Sequence, residues 1–291
     1  MTAEGQDIVF TGATRVLAGL LESRTGQILS ENRIWRIETA LKPILRAHGF
    51  PDLEALVAKL LSRSEHPLTT EVVNALLNNE SSFFRDLQIF QMISRELLPR
   101  IRASRPDRVV RIWCAGCSTG QEAYSLAMQF RKDAEQWQGW RISILGTDIS
   151  TAAIARAQSG IFSQIDVQRG LPISDLLKWF EPVGDDWKIS DELRQMVDFR
   201  QDNLFDPHVP GGYFDLILCR NVLLYFSLEM RQKVFDRLAQ HSRPGGYLLL
   251  GAGETVIGQT NDFISSREFR GSYERRNSFG EDVAAPIRRA R

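Results

Sequence analysis

Residues 109–128 read VVRIWCAGCSTGQEAYSLAM, a buried strand, a turn of small residues and a helix in immediate succession. Val109, Val110 and Ile112 are β-branched and apolar, as a strand covered on both faces requires. Ala115, Gly116, Ser118, Thr119 and Gly120 then keep side chains out of the way. A ligand can therefore approach the backbone at the N-terminus of the helix that follows. A turn of this kind, at the carboxyl end of a parallel strand, is where nucleotide-like ligands sit in α/β proteins.

Downstream, strands and helices alternate. Residues 141–147, RISILGT, read as a strand ending at Asp148, and 151–158 as a helix capped by Ser150. A short strand over 197–200 precedes Asp202-Asn203-Leu204, and a buried strand over 213–219 precedes Arg220-Asn221-Val222. A helix over 228–241, a turn over 243–246 and a strand over 247–250 follow. The pattern predicts a mostly parallel sheet flanked by helices. Residues 164–194 break the rhythm and are too long for an ordinary connection, so they read as an insertion with its own structure.

Upstream, residues 8–75 read as helical. In 33–48, Ile34, Ile37, Leu41 and Leu45 fall near helical spacing, and Pro43 marks a kink or a boundary. Asp52 is placed to cap a helix over 53–61. On the first of these helices Arg33, Arg36, Lys42 and Arg46 outnumber the single acid Glu38. That face is either simply solvated or a dock for an acidic helical partner. The expected division is a helical domain over 1–75, a helical connector over 76–104 carrying NNESSFFRD, a ligand-binding domain over 105–276 and a loose polar tail over 277–291.

Bulk composition removes several function classes. Lys+Arg and Asp+Glu both number 36, so the chain carries no electrostatic case for nucleic acid. No apolar run approaches the roughly 18 residues of a membrane span. The opening residues lack the basic and apolar regions of a signal peptide, and three cysteines make no disulfide framework. A cytoplasmic protein without membrane insertion is expected. Cys114 and Cys117 form a lone CxxC with no second pair to complete a zinc site, and His48, His66, His208 and His241 show no ligand spacing. No metal is expected, and the two cysteines read as small residues filling a tight turn.

Three ligands compete for the turn. A P-loop needs a lysine where Gln121 follows Gly120. A dinucleotide site needs GxGxxG and an acid about 20 residues on, but the turn reads AGCSTG and Asp148 lies well beyond that distance. S-adenosylmethionine fits better. It calls for a glycine-containing turn after the first strand and an acid at the end of the second, whose carboxylate accepts both hydrogens of a ribose diol. It also calls for polar groups after the third and fourth strands, and the chain supplies all four features in order.

NNESSFFRD, IWCAGCSTGQEAYSLAM, ILGTDIS, QDNLF, FDLILCRNVLLYF and GGYLLLGAGET, in that order, make the chain resemble the CheR-type chemotaxis receptor methyltransferases. The resemblance runs over about residues 70–275. It implies an α/β fold, a Rossmann-like S-adenosylmethionine-dependent methyltransferase sheet with a small inserted β-subdomain, preceded by an all-α N-terminal domain. It also implies methyl transfer from S-adenosyl-L-methionine to receptor glutamates, with S-adenosyl-L-homocysteine as product.

By the same resemblance, Asn79, Ser81 and Arg85 face the cofactor from the connector, with Arg85 near the reacting centre. Ala115 and Gly116 line the turn, Glu122 takes the methionine amino group, and Asp148 takes the ribose. Asn203 and Leu204 flank the adenine, Arg220 and Asn221 sit beside the cofactor, and Tyr225 approaches the transfer site. Arg85 and Tyr225 are the candidate catalytic residues, and Phe83 and Phe84 read as packing.

The chain departs from the family pattern at Gln121-Glu122-Ala123, at Ser81 and at Gly253-Glu254-Thr255, and the last of these receives no role. The implied partner is the cytoplasmic helical region of chemoreceptors, met by a monomer. The insertion is compact, so no C-terminal pentapeptide tether is expected. The rivals are a nucleic-acid methyltransferase, a methyltransferase acting on some other substrate, and a non-catalytic sensor or scaffold that binds the same cofactor. The first is disfavoured because the chain has no Asn/Asp-Pro-Pro-aromatic motif.

Overall fold

The computed structural model describes residues 12–29, 33–62, 67–205, 212–269 and 271–276, so the 277–291 tail lies outside the described residues. Four helices come first: α1 (Gly12–Thr25), α2 (Trp35–His48), α3 (Leu53–Leu61) and α4 (Pro67–Leu76). They close on a core of their own around Leu17, Ile37, Leu41, Leu56 and Val72. Asp52 caps α3 by accepting from the Ala55 N–H at 2.8 Å. Pro43 does not end α2, which continues to His48. Thr39 and Pro43 are both exposed, so the carbonyl that Pro43 leaves without an N–H opens onto solvent.

The stretch 77–86 departs from the expected helical connector: NNESSFFRD forms no helix. Phe84 and Asp86 take left-handed backbone, with φ of 47° and 61°. Phe83 and Phe84 are both buried in the sheet's core, whereas consecutive helical side chains point well apart. Helix resumes in α5 (Leu87–Met92) and α6 (Leu98–Ala103), joined by a π turn over Ile93–Leu97.

The alternating region begins with β1 (Val109–Ala115), α7 (Gln121–Lys132), β2 (Arg141–Asp148) and α8 (Thr151–Ser159). A small inserted unit follows, made of β3 (Ile161–Ser163), α9 (Gln164–Gln168), α10 (Ile173–Trp179), β4 (Phe180–Val183), β5 (Asp186–Ile189) and α11 (Asp191–Arg194). Its three strands form a separate antiparallel sheet in the order β3-β5-β4. Its first strand starts at Ile161, ahead of the expected boundary. The chain then returns through β6 (Val197–Gln201), β7 (Phe214–Cys219), α12 (Leu228–His241), β8 (Ser242–Leu250), β9 (Phe263–Ser265) and β10 (Ser272–Arg275).

The main sheet has the order β6-β2-β1-β7-β8-β10-β9. The pairings from β6 to β8 are all parallel, and β10 pairs antiparallel with both β8 and β9. The antiparallel edge was absent from the sequence reading. The expected turn over 243–246 lies within β8, where the register against β7 shifts between Phe214 and Leu216. Gly245, at φ 72°, accommodates the irregularity.

On β1, Val110, Ile112 and Cys114 feed the core on one face, while Trp113 and Ala115 feed the core on the other. From β1 the chain moves outward through β2 to β6, then returns to the far side of β1 as β7. The strand order therefore reverses between β1 and β7, and a crevice opens there at the carboxyl ends of the strands. Among the described residues no helix is long and apolar enough to cross a membrane.

Candidate active site

A crevice opens at that reversal, walled by the connector, the turn after β1 and the loops after β2, β6 and β7. Of the residues expected at the site, Asn79, Ser81, Arg85, Gly116, Glu122, Asp148, Asn203, Leu204, Arg220, Asn221 and Tyr225 all line it. Ala115 does not: its side chain is packed in the core beneath the sheet. It is the last residue of β1, and strand alternation turns it inward. The helical domain also reaches the crevice, through Thr25 and Gln27 at the end of α1.

The turn after β1 is built for close approach. Gly116 has φ 76°, and a Cβ on it would meet Val222 at 2.5 Å. The N–H groups of Gly116 and Cys117 both donate to the Thr147 carbonyl, at 2.8 and 2.9 Å. This laces the turn to the end of β2. Beyond it, the Ser118 and Ser150 N–H groups donate to the two oxygens of Asp148, at 2.8 and 2.9 Å. Burial pushes the Asp148 carboxyl up, and those N–H groups hold it down. Each oxygen keeps a further lone pair for a hydroxyl. Asp148→Ala is expected to weaken S-adenosylmethionine binding about ten- to a hundredfold, the weight of a hydrogen bond to a charged group. Calorimetric titration measures it, and unchanged affinity would remove Asp148 from the cofactor site.

Glu122, in the first turn of α7, meets Arg220 across the crevice. The Arg220 Nη1 donates to Glu122 Oε2 at 2.9 Å, and its Nη2 donates to the Arg85 carbonyl at 3.0 Å and to the Asp86 carboxylate. The Arg220 side chain is 1% exposed. Burial pushes the Glu122 carboxyl up, and the Arg220 guanidinium beside it pulls it back. Arg220 therefore ties the loop after β7 to α7 and to the FFRD loop at once.

Sequence reasoning missed three residues that organise this crevice. Glu254, left without a role, accepts from the N–H groups of Gly251, Asn221, Val222 and Leu223 at 2.7–2.8 Å. One carboxylate thus fixes the whole turn after β7, including Asn221 at φ 60°. Arg237 of α12 pairs with Asp202 at 2.6 Å and donates to the Asn203 carbonyl, which sets the Asn203-Leu204 wall. Asn78 joins Arg36 to the Tyr225 hydroxyl. Glu254 stood in a quoted motif with a visible departure, but nothing in sequence shows that the backbone of two separate turns points toward it.

The donor set fits S-adenosylmethionine. A strand-end carboxylate is free to take a diol, a largely buried second carboxylate suits an amine, and Asn203 and Leu204 offer an amide beside an apolar wall. Among the described residues the buried Asn221 Oδ1 has no hydrogen-bond partner, so it can accept from a ligand donor. Among the described residues no histidine lines the crevice, and burial pushes the thiol there, Cys117, well above its ordinary range.

Comparison with known proteins agrees. The model of the family "CheR methyltransferase, SAM binding domain" matches residues 79–270. A chemotaxis protein methyltransferase of Vibrio parahaemolyticus is 35% identical over 252 residues, covering 86% of this chain and 91% of that protein. Chemotaxis protein methyltransferase Cher2 of Pseudomonas putida is 32% identical over 242 residues, covering 82% and 88%. Chemotaxis protein methyltransferase 1 of Pseudomonas aeruginosa is 33% identical over 240 residues, covering 81% and 87%. With the cofactor crevice in place and most of its length aligned to these enzymes, the chain belongs to the CheR family of S-adenosylmethionine-dependent methyltransferases.

Proposed function

We propose that this enzyme methylates glutamate side chains in the cytoplasmic helical region of chemoreceptors, forming glutamate methyl esters for sensory adaptation and releasing S-adenosyl-L-homocysteine. The observation that carries the reading is a crevice that combines cofactor-binding acids with an arginine and a tyrosine and, among the described residues, has no histidine base. When bound, the cofactor supplies a methyl group on a positively charged sulfur. A glutamate nucleophile is already ionised at neutral pH and needs no base.

The enzyme's contribution is then alignment and exclusion of water. Arg85 draws the carboxylate in, and Tyr225 holds one of its oxygens while the other attacks. Too tight a grip would stabilise the ground state and slow transfer. Arg85→Ala is expected to lower turnover about tenfold or more, as loss of a charged hydrogen bond at the reacting group does. Wild-type turnover in that variant would remove Arg85 from the chemistry.

Lys42 and Arg46 remain exposed on α2 and suit an acidic receptor helix. The β4–β5 hairpin turns in only two residues, Gly184 and Asp185. That brevity supports action without a receptor-tail tether, and the proposal takes the enzyme to act as a monomer in the cytoplasm.

The test incubates the protein with methyl-labelled cofactor and membranes bearing chemoreceptors, with and without their C-terminal pentapeptide. Label that mild base releases as methanol, from both receptor forms, is the expected result. Base-stable label would indicate another nucleophile. Cofactor binding without any label would favour a sensor or scaffold, and labelling only of tailed receptors would restore the tether.

A further inference from the structure

Tyr225 has its surroundings arranged by the helical domain. Its backbone carbonyl accepts from the Ile28 N–H at 2.8 Å, just past α1. The Arg33 guanidinium lies 5.1 Å from the centre of its ring. Its hydroxyl oxygen contacts the Asn78 amide nitrogen, and the Asn78 amide oxygen accepts from Arg36 Nη2 at 3.2 Å.

The direction of this chain of hydrogen bonds follows from chemistry. A guanidinium only donates, so the Asn78 oxygen must face Arg36. The Asn78 NH2 group then faces Tyr225, and an NH2 group only donates. The phenol oxygen therefore accepts, and its single proton is left for a third partner. Asn78 and Tyr225 both line the crevice, so that partner lies in it.

We propose that Asn78, oriented by Arg36, is a positioning residue that keeps the Tyr225 hydroxyl proton free to be donated to the acceptor carboxylate. The inference rests on the reading of Tyr225 as the group that meets the substrate. Arg36 belongs to α2, so the helix with the basic face also sets the polarity of the hydroxyl at the transfer site. A carboxylate accepts only, and a tyrosine already giving its proton to residue 78 would offer it nothing but a lone pair.

Asn78→Asp tests this without changing shape. The new carboxylate gains an ion pair with Arg36, but it has no donor for Tyr225. The phenol must then give its proton to that carboxylate. Turnover on receptor membranes is expected to fall about ten- to a hundredfold, the weight of one hydrogen bond to a charged group. Cofactor affinity and thermal stability are expected to hold. In a Tyr225→Phe background the same substitution is expected to do nothing more, because no hydroxyl remains to be redirected.

A second readout needs no receptor. The Cζ carbon resonance of Tyr225, assigned by its loss in Tyr225→Phe, is expected to move downfield in Asn78→Asp as the phenol becomes a donor to an anion. An unmoved resonance overturns the proposal. So does wild-type turnover in Asn78→Asp, or an equal loss with and without the Tyr225 hydroxyl. Full turnover in Tyr225→Phe alone points elsewhere: the resonance still reports the hydrogen-bond direction, and what fails is the placement of Tyr225 at the substrate.

Discussion

Arg220→Met is expected to abolish measurable cofactor binding and to cost about 3–5 kcal/mol of folding stability, as removal of one partner from a buried ion pair does. The side chain is 1% exposed and serves Glu122, Asp86 and the Arg85 carbonyl together. Asp86 is half exposed and water takes it over. Glu122 has only 16% of its side chain exposed and loses its hydrogen-bonded cation, with only the charge of Arg85 left to offset its burial.

The sign of the pH dependence follows. Burial already raises the folded-state pKa of Glu122, and loss of Arg220 raises it further. A carboxyl whose folded pKa lies above its unfolded value costs the fold stability as pH rises from the unfolded pKa to the folded one, and protonation relieves this as pH falls. The stability deficit of Arg220→Met is therefore expected to shrink as pH falls. Adding Glu122→Gln should recover much of it at high pH. Denaturant unfolding at two pH values measures both effects. A deficit that stays constant with pH, or that grows on acidification, would show that Glu122 is not the stranded charge.

Gly170→Ala is expected to lower stability by about 3 kcal/mol, from left-handed backbone strain together with overpacking. Gly170, between α9 and α10, has φ 83°, and a Cβ there would lie 2.1 Å from the Phe83 carbonyl oxygen. The obstacle is backbone, which no rotamer change can move aside. On the other side of the contact Phe83 is fully buried, edge-on to Phe162 of β3 and Phe180 of β4, at centroid distances of 5.0 and 5.6 Å. The inserted unit is thus clamped onto the loop that carries Arg85. The melting temperature is expected to drop by about 5 °C for a chain of this size, and turnover to fall as Arg85 shifts. A melting temperature within about 2 °C of the parent would mean that the two backbones do not meet this closely.

The same loop shows where sequence reading stopped. Residues 77–86 read as part of a helical connector because helical segments flank them, and local pattern cannot report that Phe83 and Phe84 are drawn together into a core shared with the inserted unit. The antiparallel edge was missed for a related reason. β9 and β10 are only three and four residues long, FIS and SYER, and take their order from pairing with β8 rather than from any apolar alternation of their own. The family resemblance places Ala115 beside Gly116 on the ligand side of the turn, yet strand alternation decides which of two neighbours faces inward.

The sequence by itself determined the strand–turn–helix around Gly116, the acid at the end of β2, the capping residues Asp52, Ser150 and their helices, and the order of motifs that identifies the family. These depend on periodicity and backbone preference over a few residues, which amino-acid type encodes directly. Only the tertiary structure decided that Glu254 gathers the backbone N–H groups of the turn after β7, that Arg220 joins three segments, and that Asn78 and Arg36 govern Tyr225. Each of these pairs residues far apart in the chain. Their partners are fixed by sheet order and by the packing of the helical domain over the crevice, and no local pattern contains that information.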